Sequence, residues 1–125
     1  MTSLSHGTSD PLVPESTLIE LFFEAIDRFD GAVAYQRLES PNRIADISYL
    51  DVFESVKGVS ASLAAYGLTR GDRAAILSTN RPEWAFSDFG CLCSGVVPVP
   101  VYPSLTAAQI AHICEDSGAA LVFAE

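Results

Sequence analysis

Residues 71–124 read GDRAAILSTNRPEWAFSDFGCLCSGVVPVPVYPSLTAAQIAHICEDSGAALVFA, and the order of elements in this stretch decides the fold. Arg73-Ala-Ala-Ile-Leu-Ser78 has the nearly continuous apolar centre of a strand covered on both faces. Residues 83–94 follow with Trp84, Phe86, Phe89, Cys91, Leu92 and Cys93 distributed all round, as in a helix buried between layers. Asn80 or Arg81 is placed to cap that helix, and Pro82 sits in its first turn, where a missing amide hydrogen costs nothing. Gly95 ends it. Residues 96–101 read as a second strand, which Pro98 and Pro100 make edge-like because neither can donate a ladder bond. Thr106 and Gln109 have the spacing of a capping box, with Leu105 and Ile110 as its hydrophobic staple, for a helix running to Ser117-Gly118. Ala119–Ala124 is then a third apolar strand. Strand–helix–strand–helix–strand with short connections predicts parallel strands and right-handed crossovers, an α/β layer starting near residue 73. The last strand has no turn or helix after it, which reads as a fold cut short.

Two helices and a short hairpin precede this layer. Thr17 and Glu20 have capping-box spacing, and Leu18, Leu21, Phe22, Ala25, Ile26 and Phe29 recur at helical intervals until Asp30-Gly31 stops the run. Residues 32–38 and 44–47 read as strands around a polar turn with Pro41 and Asn42, and the two could pair as a hairpin. Ser48 and Asp51 form the box of a second helix, with Ile47 and Val52 as its staple. Its apolar stripe is Tyr49, Val52, Phe53, Val56, Val59 and Leu63, opposite Asp51, Glu54 and Ser62. Gly58 interrupts that helix at a cost of about 1 kcal/mol relative to Ala, with no reason visible in the sequence. Gly67 suits the left-handed position after the last turn.

A chain of 125 residues, 49% apolar, allows one domain with a core and not two. The 16 acidic against 7 basic residues give a net charge of −9. That sign argues against nucleic-acid phosphates, which are held by clustered Lys and Arg, and against anionic lipid. Residues 1–16 are polar and Ser-rich, with Pro11 and Pro14 and no basic head followed by an apolar run, and are expected to be a flexible tail rather than a secretory leader. The longest apolar stretch, residues 91–102, is broken by Ser94, Gly95, Pro98 and Pro100, so no transmembrane segment is expected. Cys91, Cys93 and Cys114 are an odd number within apolar segments, which reads as buried free thiols in a reducing compartment, the cytoplasm. Cys91-x-Cys93 lacks the spacing and partners of a zinc site; His6 lies in the tail and His112 in a helix.

The chain has no Gly-x-x-x-x-Gly-Lys-Ser/Thr loop, no Gly-x-Gly-x-x-Gly after a strand and no Gly-x-Ser-x-Gly elbow. Gly67, Gly71, Gly90 and Gly95 are dispersed, and each has a turn or cap explanation. No spacing favours a Ser/His/Asp set built on His112, and Glu115 with Asp116 reads as solvated charge at a helix end. Lys57, the only lysine, borders an apolar stripe and reads as a snorkelling surface residue. Residues 78–81 lie past the carboxyl end of a parallel strand, where open α/β sheets bind ligands. There, however, capping accounts for Asn80 and solvent exposure for Arg81. No residue is assigned a catalytic, cofactor-binding or metal-binding role.

Ile47-Ser-Tyr-Leu-Asp-Val52 resembles the first core motif of the adenylate-forming (AMP-binding) superfamily, and Leu68-Thr-Arg-Gly-Asp-Arg-Ala-Ala-Ile-Leu-Ser78 resembles the loop and strand after it. Cys91-Leu-Cys-Ser-Gly-Val-Val-Pro-Val-Pro-Val-Tyr-Pro103 is similar to the second core motif. Asn80-Arg-Pro-Glu-Trp84, Val99-Pro-Val-Tyr-Pro-Ser-Leu-Thr-Ala-Ala-Gln-Ile110 and Glu115-Asp-Ser-Gly118 look most like the long-chain fatty acyl-CoA synthetases. The resemblance runs from about Thr17 to the end. It implies an incomplete N-terminal part of an AMP-binding domain over residues 17–125. The whole enzyme would use ATP, Mg2+ and coenzyme A to activate a long-chain fatty acid, in the cytoplasm or peripherally at a membrane. The family's phosphate loop, adenine segment, ribose-binding aspartate and catalytic lysine match nothing here. The chain alone is therefore expected to be scaffold that binds none of these groups tightly and relies on the rest of the ligase. A stand-alone α/β interaction module, or a ligase for another carboxylic acid, are the alternatives; a cooperative, monomeric melting transition favours the module.

Overall fold

The computed structural model describes residues 16–125. The expected tail, apart from Ser16, lies outside the described residues. In chain order the elements are α1 (Leu18–Phe29), β1 (Val33–Ser40), β2 (Arg43–Ser48), α2 (Tyr49–Ala65), β3 (Arg73–Leu77), α3 (Pro82–Cys93), β4 (Val97–Val101), α4 (Ala107–Ser117) and β5 (Ala119–Ala124). β1 and β2 form an antiparallel hairpin, and β3, β4 and β5 form a parallel sheet in the order β4-β3-β5.

Local chemistry starts the helices where the spacing predicts. Thr17, Ser48 and Thr106 each accept the amide three residues on, while Glu20, Asp51 and Gln109 accept the cap residue's own amide. After α2, Gly67 at φ 82° donates to the Ala64 carbonyl and Leu68 to the Leu63 carbonyl. These paired bonds satisfy the last carbonyls of the helix and fold Leu68 back toward buried Leu63. The start of α3 departs from expectation. Its N-cap is Arg81, no side chain caps it, and Asn80 does no capping. Pro82 at the first position already removes one amide that would need a partner.

Two apolar clusters hold the fold together. Phe22 and Ile26 of α1, Val52 and Val56 of α2 and Phe86 of α3 form the first, with Tyr35 of the hairpin against them; Phe22 and Phe89 stack 4.6 Å apart. Leu63, Ala74, Cys91 and Val96 form the second, joined by Leu121 and Phe123. Burying Leu63 almost completely is worth roughly 1.5–3 kcal/mol. Side chains alternate along β3, so Ala74 and Ile76 face α2 and α3 while Ala75 faces the other way. The chain steps from β3 to β4 and then back past β3 to β5. Right-handed crossovers in opposite directions put α3 and α4 on opposite faces.

Gly90 has no turn or cap role, contrary to the reading of its sequence position. It lies inside α3, where a Cβ would stand 2.3 Å from Cγ1 and 2.6 Å from Cβ of Val59. The absence of a side chain is what lets α2 and α3 cross so closely. Beside it the Ser60 and Ser94 hydroxyls meet at 2.7 Å, and Ser94 Oγ donates to the Gly90 carbonyl. Cys91, Cys93 and Cys114 are free thiols, but only Cys91 is fully buried; the other two are half-buried because they stand toward the sides of their helices. Lys57 behaves as a surface lysine, its Nζ 3.2 Å from Glu54 and 5.1 Å above the Phe53 ring. No described helix is long and apolar enough to cross a membrane.

Candidate functional site

The parallel register that sets Leu77 beside Ala124 also brings the loop after β3 against Glu125. That loop, residues 78–81, supplies three donors to one carboxylate. Ser78 Oγ lies 3.3 Å from Glu125 Oε2, Thr79 Oγ1 lies 3.0 Å from the same oxygen, and Arg81 Nη1 donates to it at 3.0 Å. Arg81 Nε also donates to Glu83 Oε2 at 3.1 Å, and Arg37 of the hairpin donates to Glu83 Oε1. The result is an alternating chain of charge, Arg37–Glu83–Arg81–Glu125. It ties the hairpin, the start of α3 and the end of β5 together at the carboxyl edge of the sheet. Arg81 is therefore a paired bridge between two carboxylates rather than the solvated side chain expected from sequence.

The electrostatics follow from these contacts. The Arg81 guanidinium, then the Thr79 hydroxyl, hold the Glu125 carboxyl below the usual carboxylate range. Partial burial pushes Glu83 up, but its own backbone amide, Arg37 and Arg81 outweigh burial and leave it lowered. Glu125 and then Glu83 raise Arg81 in turn. Carboxylates stabilised in this way are poor general bases, because their charged form is already satisfied. Farther along α3, burial raises Asp88, and burial followed by the Asp88 charge pushes the Cys91 thiol up to about 11. Burial also raises Cys93. Thiols shifted in that direction are inert, since the thiolate is the nucleophile.

A groove of about 820 Å3 runs beside this charged chain, with Tyr66, Ile76, Trp84, Leu121 and Phe123 in its apolar lining. Asn80 lines a smaller hollow of about 360 Å3 with Tyr102 and Pro103 from the loop after β4. Among the described residues, no three His, Cys, Asp or Glu side chains converge as a metal site would require. Sequence reasoning missed the Arg37–Glu83–Arg81–Glu125 chain, because its partners lie more than forty residues apart and carry no local pattern.

A profile of the family described as AMP-binding enzyme matches residues 22–125. Among curated proteins, the long-chain-fatty-acid–CoA ligase FadD15 of Mycobacterium bovis is 36% identical over 93 residues, which are 74% of this chain and 15% of that protein. The medium/long-chain-fatty-acid–[acyl-carrier-protein] ligase FadD10 of Mycobacterium tuberculosis is 31% identical over 114 residues, 90% of this chain and 20% of that one. The chain thus spans no more than about a fifth of either relative. Among solved structures, the N-terminal subdomain of Klebsiella oxytoca NpsA superposes with a TM-score of 0.71 at 24% identity, covering 88% of this chain and 28% of that subdomain. The architecture is that of an N-terminal subdomain in part, and with the profile match over most of its length the chain belongs to the AMP-binding enzyme family.

Proposed function

We propose that this chain is the N-terminal part of a long-chain fatty acid–CoA ligase and contributes scaffold to it rather than reacting groups. The observation that carries this reading is the 36% identity to a long-chain-fatty-acid–CoA ligase, running through the motifs that build β3, α3 and β4. In the whole enzyme the fatty-acid carboxylate attacks the α-phosphorus of ATP, pyrophosphate leaves and an acyl-adenylate forms. A thiol then attacks the acyl carbon, AMP leaves and a thioester results. Mg2+ bound to the phosphates would neutralise their charge during the first step.

The described residues do not fit ATP, Mg2+ or coenzyme A. The chain contains no Gly-rich phosphate loop, its carboxylates at the sheet edge are engaged by Arg81 and Arg37, and its buried thiol is inert. Catalytic, cofactor and metal residues are accordingly assigned to no position in it. Its part is mechanical: the Arg37–Glu83–Arg81–Glu125 chain fixes where β3 and β5 end relative to the hairpin. Residues 17–125 are read as an incomplete N-terminal portion of the AMP-binding domain and residues 1–16 as a tail. The partners are the fatty acid and the remainder of the ligase polypeptide. Three free thiols support a reducing compartment, the cytoplasm.

A second reading concerns the thiol that accepts the acyl group. FadD10, matched over 90% of this chain, is a carrier-protein ligase, so a carrier-protein thiol is the rival to coenzyme A. The adenylation step is common to both. Pyrophosphate exchange separates these readings. Residues 1–125 alone should give none above background, and exchange by them would overturn the scaffold assignment. A polypeptide extended beyond Glu125 should exchange with long-chain fatty acids; exchange only with another carboxylic acid would overturn the substrate class. Thioester formation on coenzyme A against carrier protein then decides the acceptor.

A further inference from the structure

The two outer edges of the parallel sheet differ in a way that selects a partner. The Val97 amide donates toward β3, to the Asp72 carbonyl at 2.8 Å. Bonding direction alternates along a strand, so Val99 and Val101 also face β3, and positions 98 and 100 face outward. Both are proline, and the outer edge of β4 has no amide to offer there. β5 is the reverse. Ala119–Ala124 contains no proline and no charge, no described strand pairs with its outer edge, and Val122 at its centre is 45% exposed. An uncharged, unblocked edge of this kind is a template for strand addition.

We propose that the outer edge of β5 pairs with the same edge of a second copy of this chain. The pairing is antiparallel and centred on Val122, giving a six-stranded sheet across a two-fold axis. Three features commit the edge to that occupant. First, β4-to-β5 contacts would propagate as an open filament, and the prolines of β4 deny them donors, so only the self-complementary β5 pairing remains and it closes at two copies. Second, a two-fold axis perpendicular to the sheet keeps like faces together. Val122 then stands opposite itself, and Leu121 opposite Phe123 of the second copy. Those two side chains already line the 820 Å3 groove, so aliphatic–aromatic cross-strand pairs would close its open side. Third, the same register sets Glu125 opposite Ala119 of the second copy. Arg73 lies there, its Nε donating to the Ser117 carbonyl at 2.7 Å and its guanidinium lying against Gly118. Opposite charges therefore meet at both ends of the paired strands, against the background repulsion of two chains carrying −9 each.

Sedimentation of the 125-residue chain over a micromolar to sub-millimolar series should show a monomer–dimer equilibrium with nothing larger. Val122→Lys, at an exposed position that leaves the core intact, should weaken the dimer at least about tenfold by setting like charges opposite one another. Val97→Lys on the proline-blocked edge should leave it unchanged. Val122→Cys should form a covalent dimer on oxidation well above the wild-type background, and Ala120→Cys should not, because only position 122 meets itself. A monomer throughout the series, growth beyond dimers, or a dimer indifferent to Val122→Lys in a variant that melts like wild type would overturn the proposal. Efficient cross-linking at position 120 would overturn the register.

Discussion

α3 and α4 are both crossover helices of one parallel sheet, 12 and 11 residues long, yet α3 has no exposed residue and α4 has no buried one. α3 lies between the sheet and two further helices, so Phe86 points into the α1–α2 cluster while Cys91 points at β3. α4 has only the sheet beside it. Ile110, Ile113, Cys114 and Ser117 are its half-buried residues, one stripe at helical spacing. The difference shows that this fold is finished on one face of the sheet and thinly covered on the other. Stability should therefore be concentrated on the α3 side.

The largest test of that asymmetry is a pair of truncations. Phe86→Ala should cost about 3–5 kcal/mol, enough to unfold much of a marginally stable domain, whereas Ile113→Ala on α4 should cost about 1 kcal/mol because half-buried atoms leave little cavity. Urea midpoints at constant slope would measure both, and equal losses would break the comparison. Next in size is Gly90→Ala. The new methyl has to displace Val59, a side chain attached directly to the neighbouring helix, and overpacking of this kind costs about 1–3 kcal/mol. Val59→Ala should recover part of that loss, and a double-mutant cycle with no coupling would mean that the two helices separate without cost.

A smaller effect, with two opposite signs on one helix, concerns pH. Glu83 is lowered in the fold, so its contribution is present above the ordinary carboxylate pKa of 4.5 and is lost as pH falls through the folded value. Asp88 is raised by burial, so its ionised form opposes folding near neutrality and the penalty is relieved on acidification. Glu83→Gln should flatten the loss of stability in acid. Asp88→Asn should stabilise the chain at neutral pH by an amount that shrinks as pH falls. Thermal melts across the acid range would show both, and parallel curves for the two variants would rule out this assignment.

These contrasts also mark where the sequence was readable. The capping boxes at Thr17, Ser48 and Thr106 formed as spaced, because donor and acceptor sit three residues apart and need nothing from the rest of the fold. The parallel order and the edge position of β4 followed from helix length and from Pro98 and Pro100. Arg81, Asn80 and Gly90 were misread for one shared reason. Glu125, which engages Arg81, is 44 residues away, and Val59, which explains Gly90, belongs to another helix; neither relation leaves a local pattern. The candidate site was legible only as a position, the loop beyond β3. Its composition depended on which strand lay alongside.

Gly58 gives the finest test, because it is the counterpart of Gly90 one helix away. Both are helix-interior glycines and both look equally costly in sequence. A Cβ on Gly90 collides with Val59, while one on Gly58 meets nothing within 4 Å, and its backbone does not need the left-handed region. The physical consequence is a change of sign. Gly58→Ala removes conformational freedom from the unfolded chain without adding strain to the folded one, so it should raise stability by about 0.5–1 kcal/mol, where Gly90→Ala lowers it. A gain in the urea midpoint would make Gly58 a residue that this segment's own fold does not require. A loss would show that the outer face of α2 is occupied even in the isolated chain, and the contrast between a finished and an open side of the sheet would then have to include α2 among the buried helices.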